Sequence, residues 1–254
     1  MKYALCCRGI SYYKNYIHKS YQNPDPYDID FEPCIPHLNE NVINPLRQRG
    51  DDIDIFFNTY DSEKLSKYRN LLNPVYTRLT KFNPDITYCN WSNVFQLKID
   101  SLNMVKEYEN NKNIKYDFII LTRFDYVILE NITNLFIPEN SISSTTEGDD
   151  YVYIITRNLL DEFINILTEM KFKTDTHQIL KFAYSSGMRC HLLYPQYENK
   201  TNSNRPFGRL ARSMFNKKDH VYKIHDLEEA KDSSSEFYAF RYKPTTEYTP
   251  PKFG

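Results

Sequence analysis

A short run near the middle of the chain, YDFIILTRFD (residues 116–125), places two charged residues at the end of an apolar segment. The apolar residues predict a buried strand, and Arg123 and Asp125 interrupt it two positions apart. Unpaired charge in a dry interior is costly. Because strand side chains alternate between faces, Arg123 and Asp125 would project together while Phe124 points the other way into the core. The spacing indicates that the strand leaves the core at these two residues and enters a ligand site.

The chemistry of these two side chains favours a phosphate ligand and a divalent cation. A carboxylate such as Asp125, at the end of a central strand, is well placed to hold Mg²⁺ or Mn²⁺ bridging a diphosphate, since both ions prefer oxygen ligands. Arg123 could offer its planar set of donors to a phosphate or hold Asp125 in position. The alternative is a structural Arg–Asp pair that merely closes the strand.

The elements that must position these residues alternate along the chain. Strands are predicted over residues 3–7, 54–58, 118–121, 151–155 and 189–194, and helices over residues 37–49, 61–72, 92–110, 159–170 and 175–186. Alternating strands and helices predict an α/β fold, with a mostly parallel central sheet covered by helices on both faces. Ligands of such sheets bind at the carboxyl ends of the strands, in the crevice where the strand order reverses.

Length and composition limit the classes of function. The chain has 254 residues and a hydrophobic fraction of 41%, which predict a single domain, with a core over about residues 1–195 and a polar, irregular extension over about residues 196–254. A formal charge of −1 argues against a nucleic-acid binder. The six glycines are too few to favour a glycine-rich phosphate loop.

Cysteine usage and hydropathy suggest a compartment. The five cysteines show no pairing or metal-ligand spacing, and their odd number favours reduced thiols. The apolar run at the start, within MKYALCCRG, is too short for a signal peptide, and no transmembrane segment is predicted. We therefore expect a soluble, cytoplasmic protein.

The order of these elements and the motif Tyr-Asp-apolar-Arg-x-Asp, over residues 116–125, resemble nucleotide-sugar glycosyltransferases with the GT-A fold. The resemblance covers about residues 1–195 and is greatest to small enzymes encoded by large DNA viruses of algae and protists, and to bacterial polysaccharide transferases. It implies a GT-A-like, Rossmann-related sheet and, for a viral protein, a place in the host cytoplasm. It also implies a nucleotide-diphosphate sugar donor, a glycan or glycoprotein acceptor, and Mn²⁺ or Mg²⁺ as cofactor.

The resemblance further implies where the nucleotide lies. GT-A enzymes usually bind metal and diphosphate through an Asp-x-Asp motif, whereas this chain has Arg-Phe-Asp, so only Asp125 carries over as a metal ligand and Arg123 could replace part of the metal's charge. The nucleotide would cross the tips of the first two strands. The residues expected to contact the nucleotide and its diphosphate are Arg8, Gly9, Asn58, Tyr60, Asp61, Arg123 and Asp125.

An inverting transfer also needs a general base for the acceptor hydroxyl, normally Asp or Glu. Asp150 ends an acidic run before a predicted strand, and Asp175 opens a predicted helix, a position that resembles the base of inverting GT-A enzymes. The alternative for Asp175 is that it complements the helix dipole. A retaining mechanism would use neither residue as a base.

The predicted function is transfer of a hexosyl or pentosyl group from a UDP- or GDP-sugar to an acceptor hydroxyl. One alternative is a Rossmann-like methyltransferase or nucleotide-modifying enzyme, although Gly9 alone after the first strand counts against the close cofactor approach that such folds need. Another is a non-catalytic binding module on the same fold. The donor sugar, the acceptor and the oligomeric state are left open by the sequence.

Overall fold

The computed structural model of the protein describes residues 1–16, 27–80, 91–124, 126–128, 130–145, 151–171, 176–193 and 207–208. Within these ranges the main element is a seven-stranded sheet. Its strands, in spatial order, are β10 (Cys190–Leu192), β8 (Ile142–Ser144), β9 (Tyr153–Thr156), β6 (Phe118–Arg123), β1 (Lys2–Gly9), β4 (Asp52–Tyr60) and β5 (Tyr76–Thr80). In this sheet β9 is antiparallel to both of its neighbours, and the other adjacent pairs are parallel. The predicted mostly parallel α/β sheet is confirmed.

Two short antiparallel pairs lie outside the main sheet. They are β2 (Tyr12–Tyr16) with β3 (Tyr27–Asp30), and β7 (Val127–Ile128) with β11 (Phe207–Gly208).

The described α-helices are α1 (Ile35–Leu38), α2 (Asn44–Gln48), α3 (Leu65–Leu72), α4 (Trp91–Lys112), α5 (Leu160–Met170) and α6 (Ile179–Ser185). Short 3₁₀ turns span Glu32–Cys34, Ile132–Asn134, Arg157–Leu159 and Thr176–Gln178, and a π-helical turn, Asn39–Ile43, joins α1 to α2. None of the helices in the described part of the chain is both long and apolar enough to cross a membrane.

Strand β1 lies at the centre because its side chains are apolar on both faces. Six consecutive residues of β1 are buried. Leu5 belongs to the core under α1, α2 and α3, whereas Ala4 and Cys6 belong to the core under α4, α5 and α6. A sheet covered on both faces requires such a continuous apolar run.

Two helix predictions need correction. The helix predicted over residues 37–49 is interrupted by the π-helical turn, which comes just before Pro45, a residue with no N–H to donate to the preceding turn. The helix predicted from Asp61 begins instead at Leu65, and Asp61 does not cap it, because its N-cap is Lys64 and no side chain bonds there.

The two ends of the parallel strands define two edges of the sheet. At the amino edge, where β1, β4 and β6 begin, the Asp117 carboxylate accepts a hydrogen bond from the backbone N–H of Lys2 at 2.7 Å. The Arg157 guanidinium donates to the Glu109 carboxylate at 2.8 Å, and Glu109 also accepts from the backbone N–H of Tyr116 at 3.0 Å. The hydrogen bonds and ion pairs at this edge therefore hold β6 and the end of β9 against α4.

Candidate functional site

The carboxyl edge contains the point where the strand order reverses. From β1 the chain continues to β4 and β5 on one side, and it later returns to place β6 on the other side. The helices that join β1 to β4 cover one face, and α4, which joins β5 to β6, covers the opposite face. The crevice between β1 and β6 is therefore the topological switch point, where α/β sheets bind their ligands.

Three of the predicted site residues form a row across this edge. Arg8 of β1 is in register with Asn58 of β4 and with Arg123 of β6. Register partners on parallel strands project to the same face, and the alternation from Ala4 and Cys6 places this row on the α4 face. Arg8 is only 2% exposed, so its guanidinium lies in a largely dehydrated position.

Asn58 anchors the row to α4. Its amide nitrogen donates to the Leu97 carbonyl at 3.1 Å and to the Ser101 hydroxyl at 3.0 Å. Its amide oxygen is buried and has no hydrogen-bond partner among the described residues. These hydrogen bonds hold α4 against the end of β4. Asn58 therefore has a structural role whether or not it also contacts a ligand.

Gly9 turns the chain away from the strand beside Arg8. Its φ of +105° is in the region that glycine adopts without steric cost. The Gly9 carbonyl accepts from the Thr59 hydroxyl at 2.9 Å, and the Arg8 carbonyl accepts from the backbone N–H of Phe124 at 3.1 Å. The backbones of β1, β4 and β6 thus stay joined up to the last residues of the strands.

The other two predicted nucleotide contacts have different environments. Tyr60 is 5% exposed and belongs to the core under α1 and α2. Asp61 is exposed and directly follows β4. Tyr60 therefore packs in the core, whereas Asp61 is accessible to a ligand at the carboxyl edge of the sheet.

Arg123 is held by an aromatic pair. Its guanidinium carbon lies 5.2 Å from the centre of the Tyr151 ring, a cation–π distance. The Tyr151 ring lies 5.2 Å from that of Tyr126, which is buried. The next residue, Phe124, is fully buried and packs edge-on against Phe31 at 4.7 Å. The predicted division of the strand, with Phe124 in the core and Arg123 on the other side, is confirmed.

A fourth residue of this region, Lys98 of α4, was missed by the sequence analysis. Lys98 is 0% exposed, and its ammonium nitrogen lies 5.7 Å from the centre of the Phe95 ring. The sequence contains a usable signal, because Lys98 occupies a position three residues after Phe95 and four before Leu102, in the helix's apolar stripe. Lysine is rarely fully buried unless it is paired, so its place in an apolar stripe can be recognised from the sequence as unusual.

The three aspartates predicted to act in catalysis or metal binding, Asp125, Asp150 and Asp175, lie outside the described residues. In the described ranges no group of three or more His, Cys, Asp or Glu side chains could hold a metal ion. The cationic side chains at the described ends of β1 and β6 are the guanidinium groups of Arg8 and Arg123, which cannot ligate a cation. Their chemistry fits phosphate oxygens.

Two cysteines next to the site are not nucleophiles. Cys6 and Cys7 of β1 are fully buried, and burial raises the pKa of both thiols well above their usual value. A thiol that stays protonated is a poor nucleophile. Covalent catalysis by a thiol is therefore disfavoured at this edge of the sheet.

Comparisons with known proteins give similarity at the level of the fold. No family model matches the chain, and no curated protein sequence matches it. A solved nucleotidyl transferase from Methanothermobacter is 11% identical with a TM-score of 0.43, over 77% of this chain and 88% of that one. The catalytic domain of Drosophila β1,4-galactosyltransferase 7, in complex with xylobiose, is 11% identical with a TM-score of 0.41, over 92% of this chain and 82% of that one.

A glycosyltransferase involved in glycosylation of the major capsid of PBCV-1 is also similar in fold. It is 10% identical with a TM-score of 0.37, over 76% of this chain and 82% of that one. The similar structures thus include both nucleotidyltransferases and glycosyltransferases.

Proposed function

We propose that the protein is a glycosyltransferase that moves a sugar from a UDP- or GDP-sugar to a hydroxyl group of a glycan or glycoprotein acceptor. The observation that carries this proposal is the register pairing of Arg8 and Arg123 across the switch point between β1 and β6. Two guanidinium groups at the carboxyl ends of adjacent central strands are suited to a diphosphate, because each can donate two parallel hydrogen bonds to phosphate oxygens.

These arginines would act mainly on the leaving group. When the bond between the sugar and the diphosphate breaks, negative charge grows on the diphosphate oxygens, and fixed cations stabilise it. The side chain of Arg8 is fixed in place because it is buried, and that of Arg123 is fixed by its contact with the Tyr151 ring. Because both are positioned before the reaction, little reorganisation is needed as charge develops.

The remaining assignments follow from position along the chain. Gly9 and Asp61, at the ends of β1 and β4, would lie near the nucleoside, with Asn58 and Tyr60 supporting them from the sheet. Asp125 would hold Mn²⁺ or Mg²⁺ when the metal is bound, and the metal would add positive charge at the diphosphate.

The acceptor hydroxyl needs a proton acceptor in an inverting transfer. Asp175 precedes the 3₁₀ turn Thr176–Gln178, and Asp150 directly precedes Tyr151, whose ring contacts Arg123. Both aspartates are therefore proposed as candidates for the general base. An inverted anomeric product, together with loss of transfer in an alanine variant of one of them, would assign the role.

A donor-hydrolysis screen tests the proposed function. Common UDP- and GDP-sugars are incubated with the protein, with and without Mn²⁺, and release of the nucleoside diphosphate is measured. We expect at least one donor to be hydrolysed, and Asp125→Ala to lose that activity while keeping the native melting temperature. In a parallel thermal-shift assay, stabilisation by S-adenosylmethionine without any response to UDP or GDP would contradict the proposal and favour a methyltransferase.

A further inference from the structure

Asn41 connects the helices between β1 and β4 to β7, the short strand that follows Arg123 along the chain. Its side-chain amide donates to the Ile128 carbonyl at 2.9 Å, although the two residues are 87 positions apart. Ile128 is buried, and a buried backbone carbonyl needs a hydrogen-bond donor. The Asn41 amide supplies one and so holds β7 against the helices on this face of the sheet.

Asn41 reaches β7 from the π-helical turn between α1 and α2. In this turn the backbone N–H of Asn44 bonds to the Asn39 carbonyl, five residues earlier. Val42 and Ile43, which follow Asn41, are both buried in the core. Turns of this type are rare and occur frequently at functional sites. The turn in this protein presents a polar side chain that binds the strand leaving the candidate site.

Two aromatic rings connect β7 to Arg123. Tyr126, two residues before Ile128, is buried in the same core, and its ring centre lies 5.2 Å from that of Tyr151. The Tyr151 ring centre lies 5.2 Å from the guanidinium carbon of Arg123. Close-packed interiors transmit displacements from one side chain to the next. A shift of the backbone at Ile128 would therefore move Tyr126 and then the ring against which Arg123 lies.

We infer that Asn41 is a positioning residue for Arg123. Asn41 fixes β7, and with it the pair of rings from Tyr126 and Tyr151 that orients the guanidinium group. The inference rests on the proposed function only for the ligand, the diphosphate that Arg123 contacts. Arginine binds phosphate oxygens best when its planar set of donors is already aligned with them. Loss of the Asn41 amide therefore weakens ligand binding without removing any group that touches the ligand.

Nuclear magnetic resonance of the ligand-free protein tests the positioning directly. The Nε–H signal of Arg123, assigned by its absence from Arg123→Lys, carries a ring-current shift because the guanidinium lies beside the Tyr151 ring. We expect Asn41→Leu, which removes the amide and nearly keeps the side-chain size, to move this signal towards its position in Tyr151→Leu. Asn41→Gln keeps an amide donor and should restore the native position at least in part. An unmoved signal in Asn41→Leu would overturn the inference.

Calorimetric titration with UDP and GDP measures the consequence for ligand binding. Asn41→Leu should weaken the affinity by up to about 30-fold, the loss expected when the cation–π contact of Arg123 is removed altogether. Because both substitutions act through the same ring, the double variant Asn41→Leu/Tyr151→Leu should bind no more weakly than Tyr151→Leu alone. Additive losses would show that Asn41 acts by another route and would overturn the inference.

Asn131 provides a matched control. It lies at the start of the 3₁₀ turn Ile132–Asn134, which packs against the π-helical turn, and its side-chain oxygen accepts from the backbone N–H of Thr133 at 2.9 Å. Asn131→Ala loses this cap and should melt at a lower temperature with unchanged affinity for UDP and GDP. Equal losses of affinity in Asn131→Ala and Asn41→Leu would make the Asn41 effect a general result of lower stability, and would overturn the inference.

This inference and the proposed function fail in different ways. Hydrolysis of a UDP- or GDP-sugar, with native affinity and an unmoved Arg123 signal in Asn41→Leu, would overturn the inference and leave the proposed function standing. If the protein neither binds nor hydrolyses any nucleotide sugar, but the Arg123 signal moves in Asn41→Leu and not in Asn131→Ala, the positioning role is supported and the proposed function is overturned.

Discussion

The two edges of the central sheet use charge in different ways. At the amino edge, acidic groups meet basic or hydroxyl donors that hold neighbouring elements together: Glu109 with Arg157, Asp51 with Arg49, and Asp54 with the Tyr116 hydroxyl. At the carboxyl edge, on the α4 face, two guanidinium groups lie on neighbouring strands, because Arg8 of β1 and Arg123 of β6 are register partners.

This difference separates stability from function. Paired charges contribute to the fold, and removing one partner leaves the other buried and uncompensated. Guanidinium groups on neighbouring strands at the switch point are suited to the phosphate oxygens of a ligand. The comparison predicts that mutations at the amino edge change unfolding free energy, whereas those on the α4 face of the carboxyl edge change ligand affinity.

The largest effect on stability is expected at Glu109. Its carboxylate is fully buried and accepts from the Arg157 side chain and the Tyr116 backbone. Glu109→Ala should lower the free energy of unfolding by about 3–5 kcal/mol, because the partly buried Arg157 guanidinium loses its nearest counter-charge and the buried Tyr116 N–H loses its acceptor. Urea denaturation measures this change. A loss of affinity for UDP or GDP in the folded variant would contradict the contrast between the two edges.

A smaller loss of stability is expected on the other face of the carboxyl edge. The Tyr68 hydroxyl donates to the buried Asp30 carboxylate at 2.5 Å, and Lys64 also pairs with that carboxylate. Burial and the neighbouring Asp30 raise the pKa of Tyr68, which therefore stays a hydrogen-bond donor. Tyr68→Phe should cost about 1–3 kcal/mol in urea denaturation, since Asp30 loses one buried partner. An unchanged midpoint would show that Lys64 and the backbone N–H of Glu32 are enough to satisfy Asp30.

Much of this fold could be predicted from the sequence, because its central strands are continuous apolar runs. The predicted strand over residues 3–7 corresponds to β1, that over residues 54–58 to β4, and the helix over residues 92–110 to α4. Strand β5 was missed because it is a partly exposed edge strand with few apolar residues, and β8 because it has only three residues.

The site was predicted less completely than the fold. Position at the end of a strand was enough to identify Arg8 and Arg123, which are register partners in the structure. Lys98 was missed because its burial depends on the packing of α4 against β1 and β4, strands that lie far from it along the chain. Long-range proximity of this kind cannot be read from local periodicity.

A modest effect on affinity is expected at Tyr151, which positions Arg123 through its ring. Tyr151→Leu removes the aromatic face and should weaken binding of a nucleoside diphosphate, measured by calorimetric titration, by about 2- to 30-fold, the range of a cation–π interaction. Tyr151→Phe keeps the ring and should bind like the native protein in the same titration. Equal weakening by both variants would indicate that the hydroxyl, and not the ring, is what matters.

The smallest effect is a pH dependence of stability at His191. Burial, with the nearby Arg189 as a second cause, lowers the pKa of His191 below its usual 6.5. The folded state therefore favours neutral imidazole, and its contribution to stability is fully present above pH 6.5 and is lost as pH falls through the lowered pKa. His191→Gln should flatten this part of the stability curve in urea denaturation at several pH values. A curve that keeps its slope would assign the pH dependence to other groups.

The central claim is that the crevice between β1 and β6 binds the diphosphate of a nucleotide. Titration of UDP and GDP into the native protein and into Arg8→Gln, followed by calorimetry, tests it most directly. The account predicts that at least one nucleoside diphosphate binds the native protein and that Arg8→Gln weakens this binding by about tenfold or more. Equal affinity of the two proteins for the nucleotide, with both fully folded, would contradict it.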